Sequence, residues 1–295
     1  MARAPTSRNR RSASLSCKTA NVQLIATALK PVHLDGERVA TIGTITIDNP
    51  DRRNAMTAAM YSAVPAACET LRAEPDLRAV VLRGAGDRAF CAGSDIREFG
   101  DRRMGDSTAS YDRAEHLAWE ALAAIEVPTV AVIHGHCRGG GVALALHCDL
   151  RLAADTAQFG VPPANLGLNY PPEATRRLMA LVGPAWTKRL LFTAETIDAD
   201  QAWRIGLVEE VLPAAELDSH ATRLTQLMAE KAPLSQKAAK AVVDTIVTHG
   251  TAADRPLRDL SPGTAALAAA CYDSDDFREG VRAFGEKRPP RFRGT

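Results

Sequence analysis

The hydrophobic and polar positions of the chain form two alternating kinds of segment from about Val39 onward. Short β-branched or apolar runs, each closed by a turn signal such as Asn49-Pro50 or Gly84, are typical of buried strands. Longer segments with apolar residues at helical spacing lie between these runs and predict helices. The predicted strands are residues 39–47, 79–82, 129–133, 150–153 and 207–212. The predicted helices are residues 56–74, 140–148, 173–182 and 185–192, and Pro65 is expected to kink or divide the first of them.

The pattern changes after Pro213, where the strands end and residues 217–231, 234–248 and 275–287 have the spacing of amphipathic helices. The sequence therefore predicts an α/β core over residues 35–213 and a helical section over residues 214–295. Residues 1–34 are rich in arginine and serine and contain no acid before Asp35. We predict a disordered or targeting extension for this segment, and we prefer the disordered reading to a mitochondrial transit peptide.

Composition and charge narrow the possible functions. The chain of 295 residues has a net charge of +1, so no broad electrostatic field favours nucleic acid or an anionic membrane. No run approaches the roughly 18 apolar residues of a membrane span. The six cysteines form no CxxC pair and have no zinc-type spacing, so we expect free thiols and no metal site. The expected location is cytoplasmic, or the mitochondrial matrix if the basic N-terminus is a transit peptide.

Two similar glycine-containing junctions carry the strongest chemical signal. Residues 84–96 and residues 133–143 each contain a strand, a glycine loop and the start of a helix. The first N–H groups of a helix lack intrahelical acceptors, and glycine allows a ligand to approach the backbone. Two such ends facing one cleft can form an oxyanion hole, but glycine turns also serve packing alone. The glycines by themselves leave both readings open, and neither junction has the spacing of a nucleotide-phosphate motif.

Several ordered motifs resemble the crotonase family, also called the enoyl-CoA hydratase/isomerase family. Residues 89–96 (AFCAGSDI) resemble its AFCAGxDI/L signature, and residues 139–153 resemble its GGGxxLAxxCDxRxA segment. Shorter resemblances follow in the same order at residues 53–56, 157–160, 183–185, 204–208 and 275–288. The resemblance extends from about Val39 to Phe292 and favours the oxyanion-hole reading of the two junctions.

The resemblance implies an α/β fold built as a spiral of ββα turns, with a C-terminal helical section that forms a homotrimer or a dimer of trimers. It implies an acyl-CoA thioester as the substrate and no cofactor other than the coenzyme A of that substrate. The thioester oxygen would be bound by the N–H groups of Ser94 and Gly140. Ala55 and Ala92 would contact the adenine and pantetheine through backbone atoms.

The residues that would carry acid/base chemistry depart from the family pattern. Hydratases of the family use two glutamates, and this chain has Ala143 and Pro163 at the corresponding positions. Residues 163–170 resemble a segment of methylmalonyl-CoA decarboxylase, in which the tyrosine corresponding to Tyr170 contacts the substrate carboxylate. Decarboxylation generates the enolate without a strong base. That enzyme has a histidine where this chain has Ser94 and a glutamate at the position of Ala143, and Tyr170 can also be a packing residue.

Three further residues are candidates with simpler alternatives. Glu173 and His136 could act as acid or base, although an acid in a first helical turn often serves capping and a histidine there is often structural. Arg138 could bind a substrate carboxylate or point to solvent. Our leading hypothesis is a CoA-thioester lyase or isomerase that works through an enolate, with decarboxylation of a methylmalonyl-type thioester preferred. The alternatives are an enoyl-CoA hydratase/isomerase with a displaced acid/base residue such as Glu173, and a catalytically silent acyl-CoA binding protein.

Overall fold

The computed structural model describes residues 24–35, 38–102, 108–249 and 262–295. The strands in this part of the chain are β1 (Ile25–Asp35), β2 (Arg38–Ile47), β3 (Leu77–Gly84), β4 (Ala89–Cys91), β5 (Thr129–Ile133), β6 (His136–Arg138), β7 (Leu150–Ala154), β8 (Gln158–Gly160), β9 (Thr196–Asp198) and β10 (Glu210–Leu212). The helices are α1 (Ala58–Arg72), α2 (Phe99–Arg102), α3 (Thr108–Ala123), α4 (Gly140–Leu146), α5 (Pro172–Thr193), α6 (Ala199–Arg204), α7 (Ala214–Ala229), α8 (Pro233–His249), α9 (Pro262–Asp273) and α10 (Asp275–Glu286).

The strands form two sheets. The larger sheet has the order β1-β2-β3-β5-β7-β10, in which β1 and β2 are antiparallel and the other pairs are parallel. The smaller sheet has the order β4-β6-β8-β9, with only the last pair antiparallel. Successive strand pairs β3/β4, β5/β6 and β7/β8 contribute one strand to each sheet. The chain therefore advances as a spiral of strand–strand–helix turns, which confirms the predicted α/β class.

Both faces of the larger sheet are covered, which explains the continuous apolar runs of its strands. On β5, Ala131 and Ile133 face the main core with α1, α3, α4 and α5. Their neighbours Val130 and Val132 face the opposite side, where they pack with Leu217 of α7. Successive side chains of a strand point to opposite faces, so each strand contributes to two cores.

In the described part of the chain after Pro213, the helices are α7, α8, α9 and α10. Within the described residues, no helix is both long enough and apolar enough to cross a membrane. The free thiols expected from the sequence are found at Cys68, Cys91, Cys137, Cys148 and Cys271. Cys17 lies outside the described residues.

Three sequence predictions need correction. Strand β1 lies largely within residues 1–34, which were predicted to be an extension, because most of its side chains are only partly buried and leave no apolar run. Residues 1–23 of that segment lie outside the described residues. Helix α1 continues through Pro65, since a buried face that includes Met60, Val64 and Leu71 holds both halves against the core. The last predicted strand is confined to β10. The separation predicted between the helices of residues 173–182 and 185–192 corresponds to the non-helical conformation of Gly183 within α5.

Candidate active site

The first glycine junction presents the backbone of Ser94 at the end of β4. The Met56 N–H donates to the Gly93 carbonyl at 2.8 Å, and the Asp95 N–H donates to the Met56 carbonyl at 2.8 Å. These two bonds form a parallel bridge whose partners flank Ser94. The bridge uses neither the N–H nor the carbonyl of Ser94, so its N–H is directed away from Met56. Gly93 allows this turn because its φ is +101°.

The second junction brings Gly140 to the same place. Gly139 connects β6 to α4 with φ 50° and ψ −112°, a conformation that glycine tolerates best. Gly140 is the first residue of α4, so its N–H has no acceptor within the helix. A Cβ built on Gly140 would overlap the hydroxyl oxygen of Tyr61 and lie 3.0 Å from Ser94 Oγ and 3.4 Å from Ser94 N. The two predicted donor residues, Ser94 and Gly140, therefore lie side by side.

Ser94 and Gly140 line one cavity of about 110 Å³. Its apolar wall contains Ile96, Phe99, Trp119, Leu166 and Leu168, and its polar side chains are Ser94, Glu115, Asn169 and Tyr170. The positions that hold glutamate in hydratases of the family are occupied here by Ala143, which is fully buried on α4, and by Pro163, which lines the cavity. Neither side chain can transfer a proton. Any acid/base group at this cavity is therefore supplied by another element.

The cavity contains one acidic side chain among its described lining residues, Glu115, which was not among the candidates taken from the sequence. The side chain lies on α3, is only 3% exposed and lines the cavity. Ser94 Oγ donates a hydrogen bond of 2.7 Å to Glu115 Oε1. A signal was present in the sequence: Glu115 falls on the buried stripe of α3 with Tyr111, Ala118 and Trp119, at spacings of four and three residues. An acid within such a stripe is rarely buried without a specific role.

The hydroxyl and thiol groups around Glu115 are kept neutral. Burial raises the pKa of Tyr61 well above its usual value, and the negative charge of Glu115 raises it further. Burial also raises the pKa of Tyr170, to which the nearby Cys137 and Glu115 add, and it raises the pKa of Cys91 to about 12. The described hydroxyl and thiol groups near Glu115 therefore stay protonated where a carboxyl group titrates.

Tyr170 belongs to the cavity, as the sequence predicted, but its hydroxyl is engaged. The hydroxyl donates to the Gly139 carbonyl at 3.1 Å and so ties the segment before α5 to the second glycine junction. Tyr170 is thus a buried packing residue that also lines the cavity.

The two acid/base candidates taken from the sequence do not reach the cavity wall. Glu173 forms hydrogen bonds with Arg176 at 2.8 Å and Arg177 at 3.3 Å. Partial burial pushes the pKa of Glu173 upward, but the hydrogen bonds and charges of Arg176 and Arg177 outweigh it, and the pKa is lowered. Burial, assisted by Arg53 and other arginines, lowers the pKa of His136 on β6. Neither residue is among those that line the cavity within the described part of the chain.

Of the predicted substrate-binding residues, Ala92 lines the cavity and Arg138 does not. Ala92 lines the cavity, and its N–H donates to the Arg53 carbonyl at 3.0 Å, which places it next to the loop that carries Ala55. Arg138 instead donates to Thr196 Oγ1 at 2.7 Å and does not line the cavity. Within the described residues, no group of three or more histidine, cysteine or acidic side chains is arranged to hold a metal ion.

Comparison with known proteins identifies the family of the chain. The sequence model of the family described as "Enoyl-CoA hydratase/isomerase" matches residues 37–295. A protein of Mycobacterium tuberculosis named "probable enoyl-CoA hydratase" is 34% identical over 261 residues, which cover 87% of this chain and 96% of the relative. The crotonyl-CoA hydratase of Syntrophomonas wolfei is 31% identical over 256 residues, with coverage of 87% and 96%.

A similar solved structure is that of an enoyl-CoA hydratase/isomerase family protein from Hyphomonas neptunium. It has a TM-score of 0.80 and 34% identity, and the match covers 90% of this chain and 98% of that one. The spiral of ββα turns, the two glycine junctions and the family match over most of the sequence lead to one conclusion: the chain belongs to the enoyl-CoA hydratase/isomerase (crotonase) family.

Proposed function

We propose that this protein is an enzyme that transfers a proton on an enoyl-CoA thioester through an enolate, with Glu115 as a displaced acid/base residue. One observation carries the proposal: the buried Glu115 carboxylate lines the same cavity as Ser94 and Gly140, the two residues expected to bind the thioester oxygen. The membership of the family and the relatives named as enoyl-CoA hydratases support a CoA thioester as the substrate.

The chemistry follows from the positions of the groups. The N–H groups of Ser94 and Gly140 donate to the thioester oxygen and stabilise the negative charge that develops there. Glu115 removes a proton from C2 of a 3-enoyl-CoA, and the resulting dienolate is reprotonated by Glu115 at C4 to give the conjugated 2-enoyl-CoA. One carboxylate is sufficient for this isomerisation. Hydration needs a held water in addition, so a single acid/base residue favours the isomerase reaction over the hydratase reaction.

The cavity disfavours the decarboxylation that the sequence analysis preferred. A malonyl-type thioester would bring its own carboxylate next to Glu115, and two carboxylates in one buried site oppose each other. The hydroxyl that was expected to contact the substrate carboxylate, that of Tyr170, already donates to the Gly139 carbonyl. We therefore adopt the alternative reading, a hydratase/isomerase with a displaced acid/base residue, in place of the decarboxylase.

Cations near the first junction support binding of the coenzyme A phosphates. Arg52 and Arg97 both pair with Asp95, the residue after Ser94, at 3.1 and 2.6 Å, and about half of each arginine side chain is exposed. Their remaining donors can meet phosphate oxygens. In this proposal the backbone of Ala55 and Ala92 contacts the adenine and pantetheine, and the reaction uses no cofactor apart from the coenzyme A of the substrate.

A homotrimer or dimer of trimers remains a prediction. Helix α10 exposes Phe277, Val281 and Phe284, which recur at spacings of four and three residues and so lie on one face. Such an apolar face supports association through the helical section.

The proposal is tested by parallel incubation with 3-hexenoyl-CoA, crotonyl-CoA and methylmalonyl-CoA, with product masses and absorbance of the conjugated thioester recorded. We expect 3-hexenoyl-CoA to give 2-hexenoyl-CoA with unchanged mass. Addition of water to crotonyl-CoA without isomerisation would favour the hydratase reaction. Loss of CO2 from methylmalonyl-CoA, or binding of all three esters without turnover, would contradict the proposal.

A further inference from the structure

Two hydroxyl groups connect α1, the first glycine junction and α3. Tyr61 of α1 is fully buried, and its hydroxyl oxygen lies 3.0 Å from Ser94 Oγ. Ser94 Oγ in turn donates to Glu115 Oε1 at 2.7 Å. The Tyr61 hydroxyl also lies directly behind the oxyanion hole, because a Cβ on Gly140 would overlap it.

The direction of these hydrogen bonds is determined by chemistry. An ionised carboxylate can only accept, so the single Ser94 proton goes to Glu115. Ser94 Oγ can then only accept from Tyr61, whose hydroxyl is the donor. Tyr61 retains this proton because burial, and then the charge of Glu115, raises its pKa well above the usual value.

We propose that Tyr61 and the Ser94 side chain form a serial hydroxyl relay that orients Glu115 and holds it as the ionised base. The inference rests on the proposed function, because it assigns Glu115 the role of acid/base. Tyr61 and the Ser94 hydroxyl are positioning residues in this scheme, whereas the Ser94 N–H contacts the substrate. Ser94 thereby connects the oxyanion hole and the base within one residue, which fixes the distance between them.

The relay has a consequence for pH dependence. A hydrogen bond to the charged form of a carboxyl group favours that form. Among the described residues, the titratable groups whose pKa is raised by the charge of Glu115 include Tyr61 of α1, Cys91 of β4 and Tyr170 before α5. All three have raised pKa values and stay neutral where a carboxyl group titrates. A change in the acid limb of the activity profile that appears when a relay hydroxyl is removed therefore reports on Glu115.

The test uses the full chain labelled with ¹³C at the glutamate carboxyl carbons, with the Glu115 resonance assigned by its loss in Glu115→Gln. Ser94→Ala keeps the backbone donor and removes only the hydroxyl, and Tyr61→Phe keeps the ring. We expect the titration midpoint of the Glu115 resonance to rise by about one pH unit in Ser94→Ala, since a hydrogen bond to a charged group is lost. In Tyr61→Phe, which acts through Ser94, we expect about half of that rise.

The matched controls are Ser62→Ala and Tyr272→Phe, which remove hydroxyls from exposed residues on α1 and α9. Both should leave the midpoint unchanged. The double variant Tyr61→Phe with Ser94→Ala should equal Ser94→Ala alone, because the two hydroxyls act in series. In turnover of 3-hexenoyl-CoA, the acid limb of kcat/KM should move in parallel, with kcat reduced about tenfold and KM changed less than threefold.

Equal midpoints in the wild type, Ser94→Ala and Tyr61→Phe would overturn the relay, as would shifts that add in the double variant. The resonance titration requires no substrate. A shifted midpoint in a protein that fails to isomerise 3-enoyl-CoA would therefore contradict the proposed reaction while supporting the relay, and the two failures are distinguishable.

Discussion

Two acidic side chains lie in or next to the cavity, and their surroundings differ. Glu115 is 3% exposed, accepts from Ser94 Oγ and lines the cavity together with Trp119. The side chain of Glu173 is 34% exposed and lies between Arg176 and Arg177 at the start of α5. Among the described contacts, Glu115 accepts a hydrogen bond from the Ser94 hydroxyl, whereas Glu173 is paired with two guanidinium groups.

Because of this difference in their partners, the two carboxylates differ in their ability to act as a base. A carboxylate paired with two arginines is stabilised in its charged form, which makes it a weaker base and leaves its oxygens occupied. A carboxylate that accepts from a hydroxyl group and lines the cavity is placed to act on a ligand bound there. The position of Glu173 directly after Tyr170 made it a candidate in the sequence, but only the cavity wall identifies Glu115.

The largest predicted effect tests which of the two acids acts as the base, by neutralising each in turn. Glu115→Gln is expected to lower kcat for 3-hexenoyl-CoA isomerisation by about 10²–10⁴-fold, because general acid–base catalysis contributes an effect of this size. The isosteric amide preserves the volume of the side chain. Steady-state kinetics measured by the absorbance of the conjugated product give kcat and KM separately.

Glu173→Gln is the matched control for this prediction, with the same chemical change on the acid that does not line the cavity. We expect kcat to change less than about threefold. If Glu173→Gln inactivates the enzyme and Glu115→Gln does not, the assignment of the base is reversed.

The same contrast explains how far the sequence predicts this molecule. Ser94 and Gly140 were predictable, because glycine junctions have local signatures that survive in one sequence. The spacing of α3 marks Glu115 as a buried acid, but its place at the cavity depends on α3 packing over the first junction, a contact between residues 21 positions apart. Strand β1 was missed because most of its side chains are partly or fully exposed and leave no apolar run. Helix α9 was missed because its alanine-rich segment has no amphipathic pattern.

A second prediction sharpens the comparison by removing the oxyanion hole while leaving Glu115 intact. Gly140→Ala introduces a Cβ that overlaps the Tyr61 hydroxyl and lies 3.0 Å from Ser94 Oγ. We expect kcat/KM to fall by about 10²–10³-fold, since loss of one oxyanion donor has this effect. Urea unfolding should show a loss of about 1–3 kcal/mol from overpacking.

Gly285→Ala is the corresponding control, because a Cβ at this position on α10 meets no atom within 4 Å. Its activity should equal that of the wild type, and its stability should rise by about 0.5–1 kcal/mol from helix propensity. Full activity in Gly140→Ala would show that Gly140 is a packing glycine and that Glu115 works without a second backbone donor.

The third and smallest predicted effect is a pH dependence of the folding stability that arises from His147, which lies near Glu173. His147 of the α4 C-terminus lies 3.9 Å from Glu173, and its ring stacks on Trp119 of the cavity wall. Burial, and then the charge of Arg177, lowers the pKa of His147 to about 3. Because the unfolded chain binds this proton near pH 6.5, stability is complete above that pH and is lost as the pH falls toward 3.

The expected loss from His147 is about 2 kcal/mol between pH 7 and pH 5, measured as the free energy of urea unfolding. His147→Asn should be less stable at pH 7 but should lose about 2 kcal/mol less than the wild type over this interval. His116→Asn, at an exposed histidine on α3, should keep the dependence of the wild type. If His147→Asn and the wild type lose equal stability, His147 is protonated in the folded protein. In that case Arg177 and burial would not keep His147 neutral, and the positive charge near Glu173 would extend to the ring that stacks on Trp119.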